Sequence, residues 1–213
     1  MSSSALQQYL AAYHGINDWH LYAFRVIAQR FTPQHVLYPG SWNHVTPSLV
    51  FPHVVYIERS ARVKQQFQDA ELKQYIQNHT EYPQTPYLIF HRADYRSDLD
   101  IPRNSFDLLL SLSAGLISRD CQHYLTPQGY LLANNAHHDA SLAYVDPAYT
   151  LIGLFPTATR YIDDPSTIQH YFHTTTDAPL SRDMVLDNLE RPPSKARYKL
   201  KYTAPLYLFR KQF

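Results

Sequence analysis

The sequence predicts an α/β protein: a doubly wound, mostly parallel sheet with helices on both faces. Three observations lead there. Short apolar runs of strand length alternate along the chain with segments whose apolar residues recur at a helical period. Two of the runs, 86–90 (PYLIF) and 106–112 (FDLLLSL), are almost continuously apolar, as parallel strands buried on both faces are. The stretch 35–60 reads as a strand, a tight turn, a short crossover and a second strand with a carboxylate, Glu58, at its tip.

Taken in order, residues 4–14 and 17–31 are helical, the second with Trp19, Tyr22, Ala23, Val26 and Ile27 in one stripe and Asn17 as N-cap. Strands follow at 35–38 and 53–57, separated by a turn at Gly40 and a brief helix start at Thr46-Pro47-Ser48. Ser60 caps a helix over 60–78, whose apolar face carries Val63, Phe67, Leu72, Tyr75 and Ile76. After strands at 86–90 and 106–112 come a helix over 115–125, a turn at Pro127-Gln128-Gly129 and a strand at 130–133. Two more strands, 148–155 and 205–210, flank helices at 166–173 and 181–189, and the basic, aperiodic stretch 191–201 reads as a mobile loop.

Composition narrows the function classes. The chain has 213 residues, enough for one domain with a substantial core, and no linker or repeat divides it. A formal net charge of +1 without blocks of like charge offers no nucleic-acid signal. The single cysteine, Cys121, cannot close an intramolecular disulfide, and no apolar run approaches a membrane span, so a cytoplasmic protein is expected. Eighteen Tyr and 12 His stand against only 5 Gly, which disfavours a glycine-rich phosphate loop. Cys121 falls on an amphipathic segment and is expected to be buried. The rings Tyr144, Tyr149, Phe155, Tyr161, Tyr171 and Phe172 could line an acceptor pocket, or serve as core and subunit contacts, which leaves a homo-oligomer open.

The element order, with Asp94, then Ile101-Pro102, then Ser105-Phe106-Asp107-Leu108-Leu109-Leu110-Ser111, resembles the class I S-adenosylmethionine-dependent methyltransferases. The resemblance implies a Rossmann-like sheet of about seven strands closed by an antiparallel strand, in one domain. Residues 1–31 would form N-terminal helices, 35–135 the cofactor half, and 140–213 the substrate-side half. It implies S-adenosylmethionine as cofactor, with Tyr38, Gly40 and Ser41 in the loop after the first strand, Glu58 on the ribose hydroxyls, Asp94 on the adenine amine with Tyr95 beside it, and Ser111, Leu112 and Ser113 in the pocket floor. The acceptor, a small molecule or a protein, is not identified by any motif.

The pattern departs from that family at the first motif, where Tyr38 stands in place of an acid and Ser41 and Asn43 in place of glycines. A catalytically inactive Rossmann-like binding or interaction protein is therefore the alternative. Past the 130–133 strand, Asn134, His137 and Asp139 are the catalytic candidates: Asn134 to orient an acceptor, His137 or Asp139 as general base. His137, His138 and Asp139 could instead ligate a metal in a hydrolase, but neighbouring residues point apart and no second cluster is tied to them by spacing, so no metal site is expected.

Overall fold

The computed structural model describes residues 4–191 and 198–213. Helices α1 (Ala5–Tyr13) and α2 (His20–Phe31) precede β1 (His35–Pro39), α3 (Pro47–Val50) and β2 (His53–Ile57). Then come α4 (Ala61–Gln68), α5 (Ala70–His79), β3 (Tyr87–His91), β4 (Phe106–Ser111), α6 (Ile117–Asp120) and β5 (Leu125–Ala133). The remainder is α7 (Asp139–Val145), β6 (Tyr149–Thr157), β7 (Arg160–Ile162), α8 (Pro165–Ile168), α9 (Arg182–Leu189) and β8 (Leu206–Lys211).

The strands form one 8-stranded sheet in the order β3-β2-β1-β4-β5-β8-β6-β7. Strands β3, β2, β1, β4 and β5 are parallel, and β8 enters antiparallel between β5 and β6. The α/β doubly wound expectation therefore holds, with one strand more than expected: β7 is a three-residue return after β6, too short to leave an alternation in the sequence. The strand order reverses between β1 and β4, the switch point at whose carboxyl edge open sheets of this kind place ligands.

Alternation along the strands separates two cores. Val36, Val54, Tyr56, Leu108 and Leu110 face the layer of α1 to α5. Leu37, Ile57, Leu109, Leu131 and Ala133 face the layer of α6 to α9. Asp107, the one acid of FDLLLS, works at the opposite edge: its Oδ2 accepts from the backbone N–H of Gln34 and of His35, both at 3.0 Å, and fixes where β1 begins.

Several local expectations are corrected. The helix expected over 60–78 breaks at Asp69, which ends α4 and caps α5 by accepting from Leu72 N at 2.8 Å; Ser60 caps α4. Asn17 caps nothing; it ends a 3-10 turn, and the Asp18 carboxylate accepts from His20 N at 2.9 Å instead. The helix expected over 115–125 is only α6 plus a 3-10 turn, and the Pro127-Gln128-Gly129 turn is absorbed into β5 as an irregularity with Gln128 at φ 67°. Helix α7 had no counterpart among the expected elements. Residues 192–197 of the expected loop lie outside the described residues, while Leu200 bridges Thr174. Among the described residues, no helix is long and apolar enough to cross a membrane.

Candidate functional site

A cleft of ≈ 290 Å³ opens at the carboxyl edge, between the ends of β1, β2, β3 and β4. Gly40 follows β1 at φ 64° and donates its N–H to Ile57 O at 2.7 Å. A Cβ there would lie 2.3 Å from Ala114 Cβ, so glycine is demanded both by the left-handed turn and by the loop after β4 pressing on it. Glu58, at the tip of β2, accepts from Ser60 N at 3.0 Å through Oε1 and from Trp42 N at 3.3 Å through Oε2. Those bonds hold the carboxylate at the rim and leave acceptor capacity on both oxygens.

After β3 the chain turns at Asp94, whose Oδ1 accepts from Arg96 N at 3.0 Å. That backbone bond, with the Arg96 guanidinium and then Arg59, holds the Asp94 carboxyl below the usual carboxylate range. Tyr95 donates its hydroxyl to Ala114 O at 2.8 Å and forms a wall shared with the neighbouring groove. Gly40, Glu58, Asp94 and Tyr95, singled out from the sequence, thus line one cleft; Trp42, Arg59 and Arg96, which were not singled out, line it with them. The only local signal for Trp42 is its place two residues past the turn glycine.

Tyr38, Ser41, Ser111 and Leu112 do not line this cleft. Tyr38 is buried in the α1 to α5 core with its hydroxyl 3.0 Å from His44 Nδ1, and the buried Ser41 bonds its own loop at Trp42 O. Ser111 and Leu112 are buried beneath the loop after β4. Of the three residues expected in the floor, Ser113 lines the cleft, at φ 65°.

Asn134 and His137 converge on Ser113. Asn134 accepts from Ser113 N at 3.1 Å and donates to Ser113 Oγ at 2.7 Å, while His137 Nε2 lies 3.2 Å from Ser113 O. His137 also lines a second groove of ≈ 400 Å³, which shares Tyr95, Arg96 and Ala114 with the cleft. Asp139 lies apart from both, buried at 1 % exposure. Its oxygens accept from the hydroxyls of Ser111 and Ser118 and from Ser118 N, tying the end of β4 to α6 and α7. Burial pushes its carboxyl up and the serine bonds oppose that shift, so its geometry is that of a strut without access to an acceptor.

His138 turns from its neighbours toward Tyr198 and Asn188, at 3.4 Å each. His137, His138 and Asp139 therefore do not converge on a point, and the metal reading at this position fails on direction. Cys121 is buried, and burial pushes its thiol up. The aromatic acceptor pocket is not formed either. Phe155 and Tyr161 pack in one core and Tyr144, Tyr149, Tyr171 and Phe172 in the other, on opposite faces of the sheet.

No protein-family profile matches the sequence, and no curated protein matches it. Solved structures do resemble it. One described as an O-methyltransferase from Klebsiella pneumoniae aligns at TM-score 0.50 and 12% identity, over 75% of this chain and 86% of that one. One described as a caffeoyl-CoA O-methyltransferase from Staphylococcus aureus aligns at TM-score 0.49 and 12% identity, over 74% and 90%. The YcgJ protein from Bacillus subtilis aligns at 0.45 and 14%, over 91% and 98%. With parallel strands in the order β3-β2-β1-β4-β5 and an antiparallel strand inserted beside β5, the chain has the class I S-adenosylmethionine-dependent methyltransferase fold.

Proposed function

We propose that this protein is an S-adenosylmethionine-dependent methyltransferase. The observation that carries the reading is the convergence of Glu58 and the Asp94-Tyr95 turn, from the ends of adjacent parallel strands, on one cleft at the switch point. The donor set fits the nucleoside half of the cofactor. Glu58 offers acceptors to a vicinal diol, Asp94 an acceptor to an exocyclic amine, and Ile57 and Tyr95 apolar surface for a planar base. When bound, S-adenosylmethionine supplies a methyl group already activated on a sulfonium.

The chain's own part is then positioning. Gly40, Trp42 and Ser113 line the cleft, Tyr95, Arg96 and Ala114 are shared between it and the second groove, and that groove receives the acceptor. His137, at the Ser113 end of the groove, is placed to take a proton from the acceptor through its Nδ1, with Nε2–H directed at Ser113 O. Asn134 holds the Ser113 loop in shape. The acceptor is a small molecule or a protein segment that fits an open groove of ≈ 400 Å³.

Calorimetric titration with S-adenosylmethionine and S-adenosylhomocysteine tests the reading. Hydrogen bonds to a charged group are each worth about 1.5–3 kcal/mol, so Glu58→Ala and Asp94→Ala are expected to weaken binding roughly 10- to 100-fold. Unchanged affinity in both folded variants would discard the assigned site. A wild-type protein that binds neither compound would discard the function and favour the non-catalytic binding protein, with Ala114 seated on Gly40 as its structural cause.

A further inference from the structure

The residues before β1 and the loop after it build a second polar centre that the cleft does not use. Asp18, His20 and His44 bring their carboxylate and imidazole atoms within 4.8 Å of one another, all three buried. Asp18 Oδ1 lies 2.7 Å from His20 Nδ1, and Oδ2 lies 2.6 Å from His44 Nε2. The side chains of Asp18 and His44 are each 1% exposed, and that of His20 is 11% exposed. Every ion pair Asp18 makes among the described residues is to one of these two histidines; no Lys or Arg reaches it. A carboxylate so buried needs a compensating positive charge close by, and the groups around it are the ones that bind metals.

Asp18 and His44 are each held by further polar groups. The Thr46 hydroxyl, at 2.5 Å, and the His20 backbone N–H, at 2.9 Å, hold Asp18 in place. Tyr9 braces Thr46 at 2.9 Å. The Tyr38 hydroxyl, 3.0 Å from His44 Nδ1, would accept from Nδ1–H once an ion is bound, which frees the Nε2 lone pair, now hydrogen-bonded to Asp18 through Nε2–H, for the metal. Tyr13 and Trp19 stack on His44 and His20, setting the planes of the rings. Loading the site moves the N–H hydrogen of each neutral imidazole from the nitrogen that faces Asp18 to the opposite ring nitrogen, and the dication takes the place between the carboxylate and the two freed lone pairs.

We propose that Asp18, His20 and His44 bind one divalent transition-metal cation of the zinc type, with three protein ligands and one further coordination position. An N,N,O set of two imidazoles and a carboxylate suits such ions and is poorly matched to calcium or magnesium, which prefer oxygen. The ion joins the start of α2 to the loop that carries Gly40 and Trp42, so it pins the N-terminal helices against the wall of the cleft. The proposal does not depend on the methyltransferase reading.

The test is metal uptake by the chelator-treated protein, titrated with zinc chloride by calorimetry and with Co²⁺ by visible absorption. The expected result is one equivalent of Zn²⁺, a Co²⁺ ligand-field spectrum of low symmetry, and a higher Tm in the loaded protein. Asp18→Asn and His20→Ala should weaken uptake by about 100-fold or more, since even outer partners of metal ligands cost about 10–100-fold. His20 is the least buried ligand, so His20→Ala decides the matter if changes at His44 unfold the protein, with far-UV circular dichroism as the check. His170→Ala, at a neighbouring pair of histidines far along the chain, should leave uptake intact. No stoichiometric uptake by the wild type, uptake that survives both ligand variants, or uptake lost in His170→Ala would each overturn the proposal.

Discussion

Replacing Gly40 by alanine tests the most crowded approach at the cleft. The added Cβ would sit 2.3 Å from Ala114 Cβ, against the 3.5–4.0 Å at which carbon atoms normally meet. Either the turn after β1 or the loop after β4 must therefore move by roughly 1 Å. Overpacking of this kind costs about 1–3 kcal/mol, and a side chain held at φ 64° costs a further 1–2 kcal/mol or so. The expected loss is about 2–5 kcal/mol, a large part of the 5–15 kcal/mol of a typical domain. Urea denaturation of the wild type, Gly40→Ala, Ala114→Gly and the double variant separates the two terms. In the double variant the steric part should return and only the backbone strain remain. A loss below about 1 kcal/mol in Gly40→Ala, or no recovery in the double variant, would show that Ala114 does not press on this turn.

Two further outcomes follow from the same geometry. Asp139→Ala leaves the Ser111 and Ser118 hydroxyls without their shared acceptor; at about 1–3 kcal/mol per stranded buried donor it should cost roughly 2–5 kcal/mol, and a denaturation midpoint close to wild type would refute the strut. Of the 2 tryptophans, Trp42 lines the cleft and Trp19 stacks on His20 outside it. Titration with S-adenosylhomocysteine should change the tryptophan emission of Trp19→Phe and leave that of Trp42→Phe flat, and the reverse pattern would place the ligand elsewhere.

The architecture was legible because its signals are local. Alternation of strand and helix periods, and the unbroken apolar runs at β3 and β4, report what each segment buries whatever its neighbours in space. The same holds for Gly40 after β1 and for the acids at Glu58 and Asp94, whose positions at strand ends are visible along the chain. Asp107 shows the limit of a motif: it stood inside the phrase that carried the resemblance, yet it works at the far edge of the sheet, clipping the start of β1.

Side-chain destination was decided elsewhere. Tyr38 sits in the loop-proximal end of β1, but strand alternation sends it into the core, to His44. Asp139 and His137 are two residues apart, and helix α7 separates them into a buried strut and a groove wall. The Asp18–His44 contact spans 26 positions of sequence, and nothing in either segment announces the other. Periodicity along the chain determined which elements form and in what order they alternate. Only the packing of the helices before β1 onto the loop after it decided which histidines, acids and aromatic rings meet, because such meetings depend on three-dimensional distance and leave no regular spacing in one dimension.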